Sequence, residues 1–152
     1  MRIENKLESL GLHLPPLSRA IASYIPARKV GNIVYTSGQL PSVSGKLMCI
    51  GKVGKDVDTK EAGEAAKVAC LNALSAIKGV CENLENIKQI VKLNVFVASD
   101  PDFYEQHLVA NKASDLLVEL FGKDGNHARA AVGVRSLPLN APVEIELIVE
   151  LN

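Results

Sequence analysis

The segment 142–151 at the C-terminal end of the chain constrains its fold most, because apolar side chains occupy every second position there. The apolar set of the segment 142–151 (PVEIELIVEL) is Val143, Ile145, Leu147, Val149 and Leu151. A two-residue repeat is that of a β-strand with one face in a core and the other face turned outward. We expect helices to cover the apolar face, while the other face carries Glu144, Glu146, Ile148 and Glu150.

The segment 87–98 (IKQIVKLNVFVA) shows the same alternation. It predicts a central strand with an apolar face made of Val91, Leu93, Val95 and Val97. Phe96 then joins Ile148 on the opposite face of the sheet. Apolar residues on that second face indicate an oligomer interface.

Two long segments show helical spacing instead. Asp58, followed three residues later by Glu61, is an acidic variant of a capping box and predicts the start of a helix over 59–84. Its apolar positions recur in steps of three and four: Ala66, Cys70, Ala73, Ile77, Val80 and Leu84. The dipeptide Asp-Pro at 100–101 is typical of an N-cap and a first helical proline, so a second helix is expected from there to Gly122.

The N-terminal third combines a short helix with strands. Residues 2–10 carry apolar positions at helical spacing, and the segment 20–40 predicts a hairpin that turns at Gly31-Asn32. The glycine-rich stretch 41–55 predicts a turn and one short strand. We expect the residues up to about position 17 to form a short helical extension ahead of the first strands.

The penultimate strand 127–134 (HARAAVGV) completes the order βββαβαββ. A turn near residue 139 is expected to join it to the last strand as a hairpin. The order predicts an α+β fold, a mixed sheet with two helices packed on one face, in a single domain spanning 1–152.

Charge, cysteine and histidine content narrow the function classes. The 17 Lys and Arg residues balance the 17 Asp and Glu residues, so no net field attracts nucleic acid or an anionic membrane. The three cysteines are odd in number and lack CxxC spacing, and the three histidines are scattered, so a metal site is not expected. Since the first residues show no apolar secretory segment, we expect a cytoplasmic protein.

Three parts of the sequence together resemble one protein family. They are GNIVYTSGQLP at 31–41, HARAAVGVRSLPLNAPVEIE at 127–146, and Tyr24 ahead of the first hairpin strand. On these residues the chain resembles the reactive-intermediate deaminases, also called the YjgF or endoribonuclease L-PSP family, over about residues 18–151. The resemblance implies a chorismate-mutase-like fold and a homotrimer with ligand clefts between subunits. It also implies hydrolysis of 2-imino or 2-enamino acids to 2-keto acids and ammonia, without a cofactor.

The resemblance assigns roles to individual residues. Arg129 matches the arginine that binds the substrate carboxylate, and Glu144 matches the glutamate that orients or activates water. Tyr24 and Gly38 match positions that line the cleft. The chemistry agrees, because a guanidinium can bind a carboxylate through two charge-assisted hydrogen bonds and a carboxylate can accept a proton from water.

Two further cleft positions depart from the common family pattern. Ser114 stands in the second helix where many members have an asparagine, and residues are inserted after Phe103. Ala131 stands two residues after the arginine, where Cys or Ser is frequent, so only its backbone is expected to bind ligand. These departures bear on the choice of substrate more than on the fold.

The hairpin expected at the C-terminus places the two catalytic candidates far apart. With the turn near residue 139, Glu144 lies opposite residue 134, which is five positions from Arg129. At about 3.3 Å per residue the separation is roughly 17 Å, too far for one small substrate. We therefore expect each site to pair Arg129 of one subunit with Glu144 of a neighbour.

Three function classes are compatible with these residues. The first is an imine or enamine deaminase, and the second is a trimeric keto-acid-binding or regulatory protein without turnover. The third is an endoribonuclease, which the neutral charge and few aromatic residues disfavour. Without the resemblance, Arg129 has the pattern of an exposed sheet residue, Glu144 that of a solvated strand face, and Tyr24 that of a core tyrosine.

Overall fold

Helices and strands follow one another along most of the chain that the computed structural model describes, residues 2–17 and 22–152. The helices are α1 (Ile3–Ser9), α2 (Thr59–Cys81) and α3 (Gln106–Phe121). The strands are β1 (Ala27–Val30), β2 (Ile33–Thr36), β3 (Ser42–Val43), β4 (Lys46–Leu47), β5 (Ile87–Ala98), β6 (Ala128–Val134) and β7 (Val143–Leu151). Short 3₁₀ turns occupy Leu84–Asn86, Gly122–Gly125 and Pro138–Asn140.

A five-stranded mixed sheet in the order β1-β2-β7-β5-β6 forms the frame of the fold. β5 and β6 are parallel because α3 carries the chain back between them, and the other neighbouring strands pair antiparallel. β3 and β4 form a separate two-stranded ribbon. The α+β class, the mixed sheet and the chorismate-mutase-like architecture are confirmed.

The expected hairpin between the last two strands is wrong, because β5 lies between β6 and β7. The end of β5 is bonded on both sides: Ser99 N–H donates to the Val134 carbonyl at 3.0 Å, and Ala98 N–H donates to the Pro142 carbonyl at 2.9 Å. The connection therefore crosses the end of β5 instead of making a tight turn. Leu139 and Asn140 take left-handed φ values of 60° and 59° in this crossing.

α2 and α3 pack on one face of the sheet and enclose the core. The five alternating apolar residues of β7 are between 0% and 7% exposed, as the sequence period predicts. The face of α2 that meets the sheet is rich in fully buried small residues: Ala62, Ala65, Ala66, Ala69, Cys70 and Ala73. Small side chains let the helix approach the sheet closely. At its start Asp58 Oδ1 accepts a hydrogen bond from Glu61 N–H at 2.7 Å, which confirms the expected N-cap.

The N-terminal helix packs against the same core. Ile3 and Leu7 are buried, and Lys6 Nζ donates to the carbonyl of Leu120 near the C-terminal end of α3 at 3.0 Å. That carbonyl is one of those a helix end leaves without an internal partner. The short helix expected over residues 2–10 is confirmed.

Several element boundaries differ from the expectations. α2 ends at Cys81 instead of reaching residue 84, since Glu82 takes a left-handed φ of 67°. α3 begins at Gln106 and not at 101, because residues 100–103 form a turn closed by a 3.0 Å bond from Phe103 N–H to the Asp100 carbonyl. Gly122 ends α3 as expected.

The strands also differ from the expectations in three places. The first hairpin strand begins at Ala27, while the expected strand region reached back to residues 20 and 21, which lie outside the described residues. The stretch 41–55 contains two short strands where one was expected. In β5 a register shift between Ile90 and Lys92 turns Ile90 into the core and leaves Val91 36% exposed, so the core position expected for Val91 is wrong.

The sheet face turned away from the helices mixes apolar with charged residues. Tyr35 lies beside Ile148, and Phe96 lies between Val132 and Glu144. Tyr35 and Val132 are each 45% exposed. Use of this face as an oligomer interface stays a prediction. Within residues 2–17 and 22–152, no helix has the length and apolar composition needed to span a bilayer.

Candidate active site

Arg129 lies near the start of the edge strand β6, and α3 holds its guanidinium. Nη1 donates to Asn111 Oδ1 at 2.9 Å and to Ser114 Oγ at 3.1 Å. Asn111 and Ser114 are three residues apart in α3, so both can face the strand. Because both bonds use Nη1, the edge formed by Nε and Nη2 is uncommitted among the described residues. Such an edge can bind a carboxylate through two parallel hydrogen bonds.

Ser114 links the arginine to a histidine just ahead of β6. Its Oγ lies 2.9 Å from His127 Nε2, and His127 Nδ1 lies 2.6 Å from the Gly125 carbonyl oxygen. The resemblance placed an amide at position 114, whereas the structure supplies the amide one helical turn earlier, at Asn111. The serine thus contacts the guanidinium together with an amide.

Ala131 lies on the same side of β6 as Arg129. It pairs with Val95 of β5 and is partly buried against the core. Its methyl group has no hydrogen-bonding capacity, so any polar contact from this position must come from the backbone. The backbone contact from Ala131 to a ligand stays a prediction.

A second group of candidates meets beside the end of β2. Tyr24, Gly38 and Glu144 line one cleft of about 260 Å³, together with side chains of α2 and of the loop after Gly38. A Cβ atom on Gly38 would lie 2.6 Å from Glu144 Oε1, so the absence of a side chain lets the carboxyl group rest against the loop. Tyr24 is 56% exposed, which rules out its interpretation as a core tyrosine.

Glu144 differs electrostatically from Glu150, another carboxylate on the same face of β7. Burial raises the pKa of the Glu144 carboxyl above its usual 4.5, and the carboxylate of Glu146 raises it further. At Glu150, hydrogen bonds from Gln89 at 2.6 Å and Lys88 at 3.1 Å lower the pKa instead. A carboxyl group with a raised pKa is suited to accept and return a proton.

Arg129 and Glu144 do not meet within one chain. Arg129 pairs with Leu93 of β5, and Glu144 pairs with Phe96 of the same strand. Because positions 93 and 96 are an odd number of residues apart, the two side chains leave the sheet on opposite faces. The separation expected from a hairpin of β6 and β7 has the wrong geometry, because β5 lies between these strands. In the structure the two groups are separated by β5 and also lie on opposite faces of the sheet.

Sequence reasoning missed Asn111 and His127. Both stand at informative spacings: Asn111 is one helical turn from Ser114, and His127 is two strand positions from Arg129. These spacings put each pair on one face of its element, so a search for polar partners of the arginine could have found them.

Asn72 was also missed, and no local pattern indicates its role. Its Nδ2 donates to the carbonyls of Leu40 at 2.9 Å and Ser42 at 3.1 Å. These bonds join α2 to the loop that lines the cleft of Glu144. The partners are about thirty residues apart in sequence, so only the folded chain shows the contact.

The cysteines are unsuited to nucleophilic chemistry. Burial raises the pKa of the Cys70 thiol to about 12 and also raises the pKa of Cys81 and Cys49. Cys70 and Cys81 are buried, whereas Cys49 is only half-buried. A thiol held in its protonated form is a weak nucleophile.

The chain is similar to several known proteins. The family model described as YjgF/chorismate mutase-like matches residues 4–151. Protein TCP17 of Trypanosoma cruzi is 40% identical over 152 residues, covering 99% of this chain and 95% of that protein. The 2-iminobutanoate/2-iminopropanoate deaminase of Dermatophagoides farinae is 32% identical, with 91% of this chain and 93% of that enzyme covered.

A solved structure matches almost the whole chain. It is that of protein Atu1372 of Agrobacterium tumefaciens, whose function is unknown, with a TM-score of 0.91 at 48% identity. The match covers 98% of this chain and 91% of that chain. Sequence and structure therefore agree that the chain belongs to the YjgF/chorismate mutase-like family of reactive-intermediate deaminases.

Proposed function

We propose that the protein is a 2-imino or 2-enamino acid deaminase, a cytoplasmic hydrolase that produces 2-keto acids and ammonia. The observation that carries the proposal is the position of the Arg129 guanidinium, which α3 holds through Nη1. Among the described residues its Nε/Nη2 edge stays uncommitted, and this edge can bind a carboxylate. The deaminase relative supports the substrate class, since the 2-iminobutanoate and 2-iminopropanoate of its name are short carboxylates.

In this proposal Arg129 binds the substrate carboxylate and Glu144 transfers protons. Water adds to C2 of the C=N bond while Glu144 accepts one of its protons and returns it to the nitrogen. Glu144 then accepts the hydroxyl proton and passes it to the amino nitrogen, the C–N bond breaks, and ammonia leaves as the keto group forms. An enamine first takes up a proton at C3 and loses one from nitrogen, which gives the imine. The raised pKa of Glu144 suits both proton transfers.

The proposal includes a homotrimer with its sites between subunits. Arg129 and Glu144 leave opposite faces of one sheet, so one chain cannot place both around a small anion. We assign Arg129, Asn111 and Ser114 to one subunit and Glu144 with its cleft to the neighbour. Contacts of this kind repeat head to tail and can close into a ring.

Keto-acid release from freshly generated imines tests the proposal. An amino-acid oxidase supplies 2-iminobutanoate or 2-iminopropanoate in place, and the keto acid is measured as it appears. We expect the protein to accelerate this step well beyond the rate in water, and to do so without added metal or cofactor. Rates equal to those in water with several imino acids would contradict the deaminase function.

Two further assays distinguish the other two function classes. Saturable binding of 2-oxobutanoate without turnover would indicate a keto-acid-binding protein. RNA cleavage by the purified protein, falling steeply with added salt, would indicate an endoribonuclease. The equal numbers of basic and acidic residues do not favour RNA binding.

A further inference from the structure

His127, Ser114 and Arg129 form a continuous series of hydrogen bonds that runs from a backbone carbonyl to the guanidinium. His127 Nδ1 is 2.6 Å from the Gly125 carbonyl oxygen, His127 Nε2 is 2.9 Å from Ser114 Oγ, and Arg129 Nη1 is 3.1 Å from the same Oγ. His127 and Arg129 flank Ala128 at the start of β6. We call these three side chains the relay.

The donors and acceptors of the relay fix the tautomer of the histidine ring. A carbonyl oxygen only accepts, so Nδ1 must carry a proton and donate it to Gly125. A neutral ring then accepts at Nε2, and the Ser114 hydroxyl donates to it. The hydroxyl proton is thereby directed to the histidine, and the oxygen of Ser114 keeps its lone pairs for Arg129 Nη1–H.

Both hydrogen-bond partners of the His127 ring are held by α3. A Cβ atom on Gly125 would collide with the carbonyl oxygen of Leu117, so the turn that carries the Gly125 carbonyl lies directly on the backbone of α3. Ser114 belongs to the same helix, one turn before Leu117. The ring of His127 therefore bridges two points of one rigid element, which is how a supporting contact fixes a functional side chain.

We propose that His127 is a positioning residue for the carboxylate clamp. Held as the Nδ1–H tautomer, it orients the Ser114 hydroxyl so that Ser114 and Asn111 together hold Arg129 Nη1, and the Nε/Nη2 edge faces the substrate. This inference rests on the proposed function of Arg129. Its expected consequence is on the binding of carboxylates and not on the hydration step.

Two substitutions of His127 separate its contacts. An asparagine places an amide near the position of Nδ1 and can donate to Gly125, but it does not reach Ser114. A glutamine places its amide near the position of Nε2 and keeps the contact with Ser114. We expect His127→Asn to raise KM for 2-iminobutanoate and Kd for 2-oxobutanoate about fivefold to tenfold, with kcat changed less than about twofold. His127→Gln should recover most of this loss.

The effect should pass through Ser114. In a Ser114→Ala background, His127→Asn is expected to add little further loss, which is the signature of two residues acting as one unit. His107→Asn, on the exposed side of α3, is the matched control and should leave both constants unchanged. Equal losses in His127→Asn and His127→Gln, additive losses in the double variant, or a fall in kcat at constant KM would each overturn the inference.

The ring tautomer gives a second test that needs neither ligand nor turnover. Nitrogen-15 NMR of the wild-type protein at neutral pH should show His127 protonated at Nδ1 and unprotonated at Nε2. Protonation at Nε2 alone would overturn the relay whatever the activity. If the expected tautomer is found but no imine is hydrolysed and no keto acid binds, the proposed function fails while the geometry of the relay stands.

Discussion

Arg129→Ala is expected to lower kcat/KM for a 2-imino acid by about 10²- to 10³-fold, because two charge-assisted hydrogen bonds to the substrate carboxylate are lost. Arg129→Lys should recover little of the activity, since an ammonium group cannot reproduce the planar pair of donors. The measurement is the rate of keto-acid release at several substrate concentrations for each variant.

A loss of activity from unfolding can be distinguished from a loss of binding. Arg129 is exposed, so we expect the melting temperature of Arg129→Ala to stay close to that of the wild type. Arg2→Ala removes another exposed arginine at the opposite end of the chain and should keep full activity. If Arg129→Ala kept a third or more of the wild-type kcat/KM, the assignment of the carboxylate clamp would be wrong.

Glu144→Gln is expected to lower kcat by about 10²-fold or more, which is the usual contribution of a positioned proton-transfer group. Gly38→Ala leaves the carboxyl group chemically intact but places a Cβ where Glu144 Oε1 now lies, so it should also lower kcat by displacing that group. Glu150→Gln, on the same face of β7, is the matched control and should keep its activity. Equal activity in Glu144→Gln and the wild type would exclude Glu144 from proton transfer.

The pKa of Glu144 sets the expected pH dependence. Burial and then the carboxylate of Glu146 raise this pKa, so the acidic limb of kcat/KM should lie above pH 4.5. Glu146→Gln removes the like charge and should move that limb to lower pH. An acidic limb that does not move in Glu146→Gln would contradict the electrostatic coupling of the two groups.

Stability should change in the opposite direction to activity. A carboxyl group whose pKa is raised by folding stabilises the folded state fully below its unfolded pKa, and this contribution is lost as the pH rises through the folded pKa. Above its folded pKa the ionised Glu144 therefore opposes folding. Glu144→Gln is expected to be at least as stable as the wild type at pH 7 in thermal unfolding, although it is far less active.

The elements that could be predicted from the sequence are those with strong periodicity or local chemistry. The alternation of β7, the small apolar stripe of α2 and the N-cap at Asp58 depend on neighbouring residues, and the structure has all three. The turn at Gly31-Asn32 was found for the same reason. Each depends on contacts or dihedral angles within a few residues.

The errors come from contacts between distant segments. Strand order depends on where β5 is placed, and a hairpin between β6 and β7 satisfied the local pattern equally well. The bulge at Val91 shifts one residue out of an otherwise regular period and leaves no mark in composition. The dipeptide at 100–101 has the residues of a helix start, yet residues 100–103 form a turn and α3 begins only at Gln106.

The residues of the two candidate groups were named from the sequence, but their surroundings were not, and their roles stay predictions. Tyr24, Gly38 and Glu144 lie together, and Arg129 lies beside Ser114, in two groups within each chain. Asn111 and His127 were missed because their part depends on the packing of α3 against β6. Completion of the site by a second copy stays a prediction, because no periodicity within one chain indicates it.

Complementation between two inactive variants tests most directly that each site lies between copies of the chain. Arg129→Ala and Glu144→Gln are co-expressed at equal levels, and mixed assemblies are purified by two different affinity tags. If Arg129 and Glu144 of neighbouring subunits share a site, one of the three sites in a mixed trimer carries neither substitution. Activity should therefore return to about one third of the wild-type value. Activity no higher than that of the two parent variants would show that both groups act within one chain, and would contradict the proposed site.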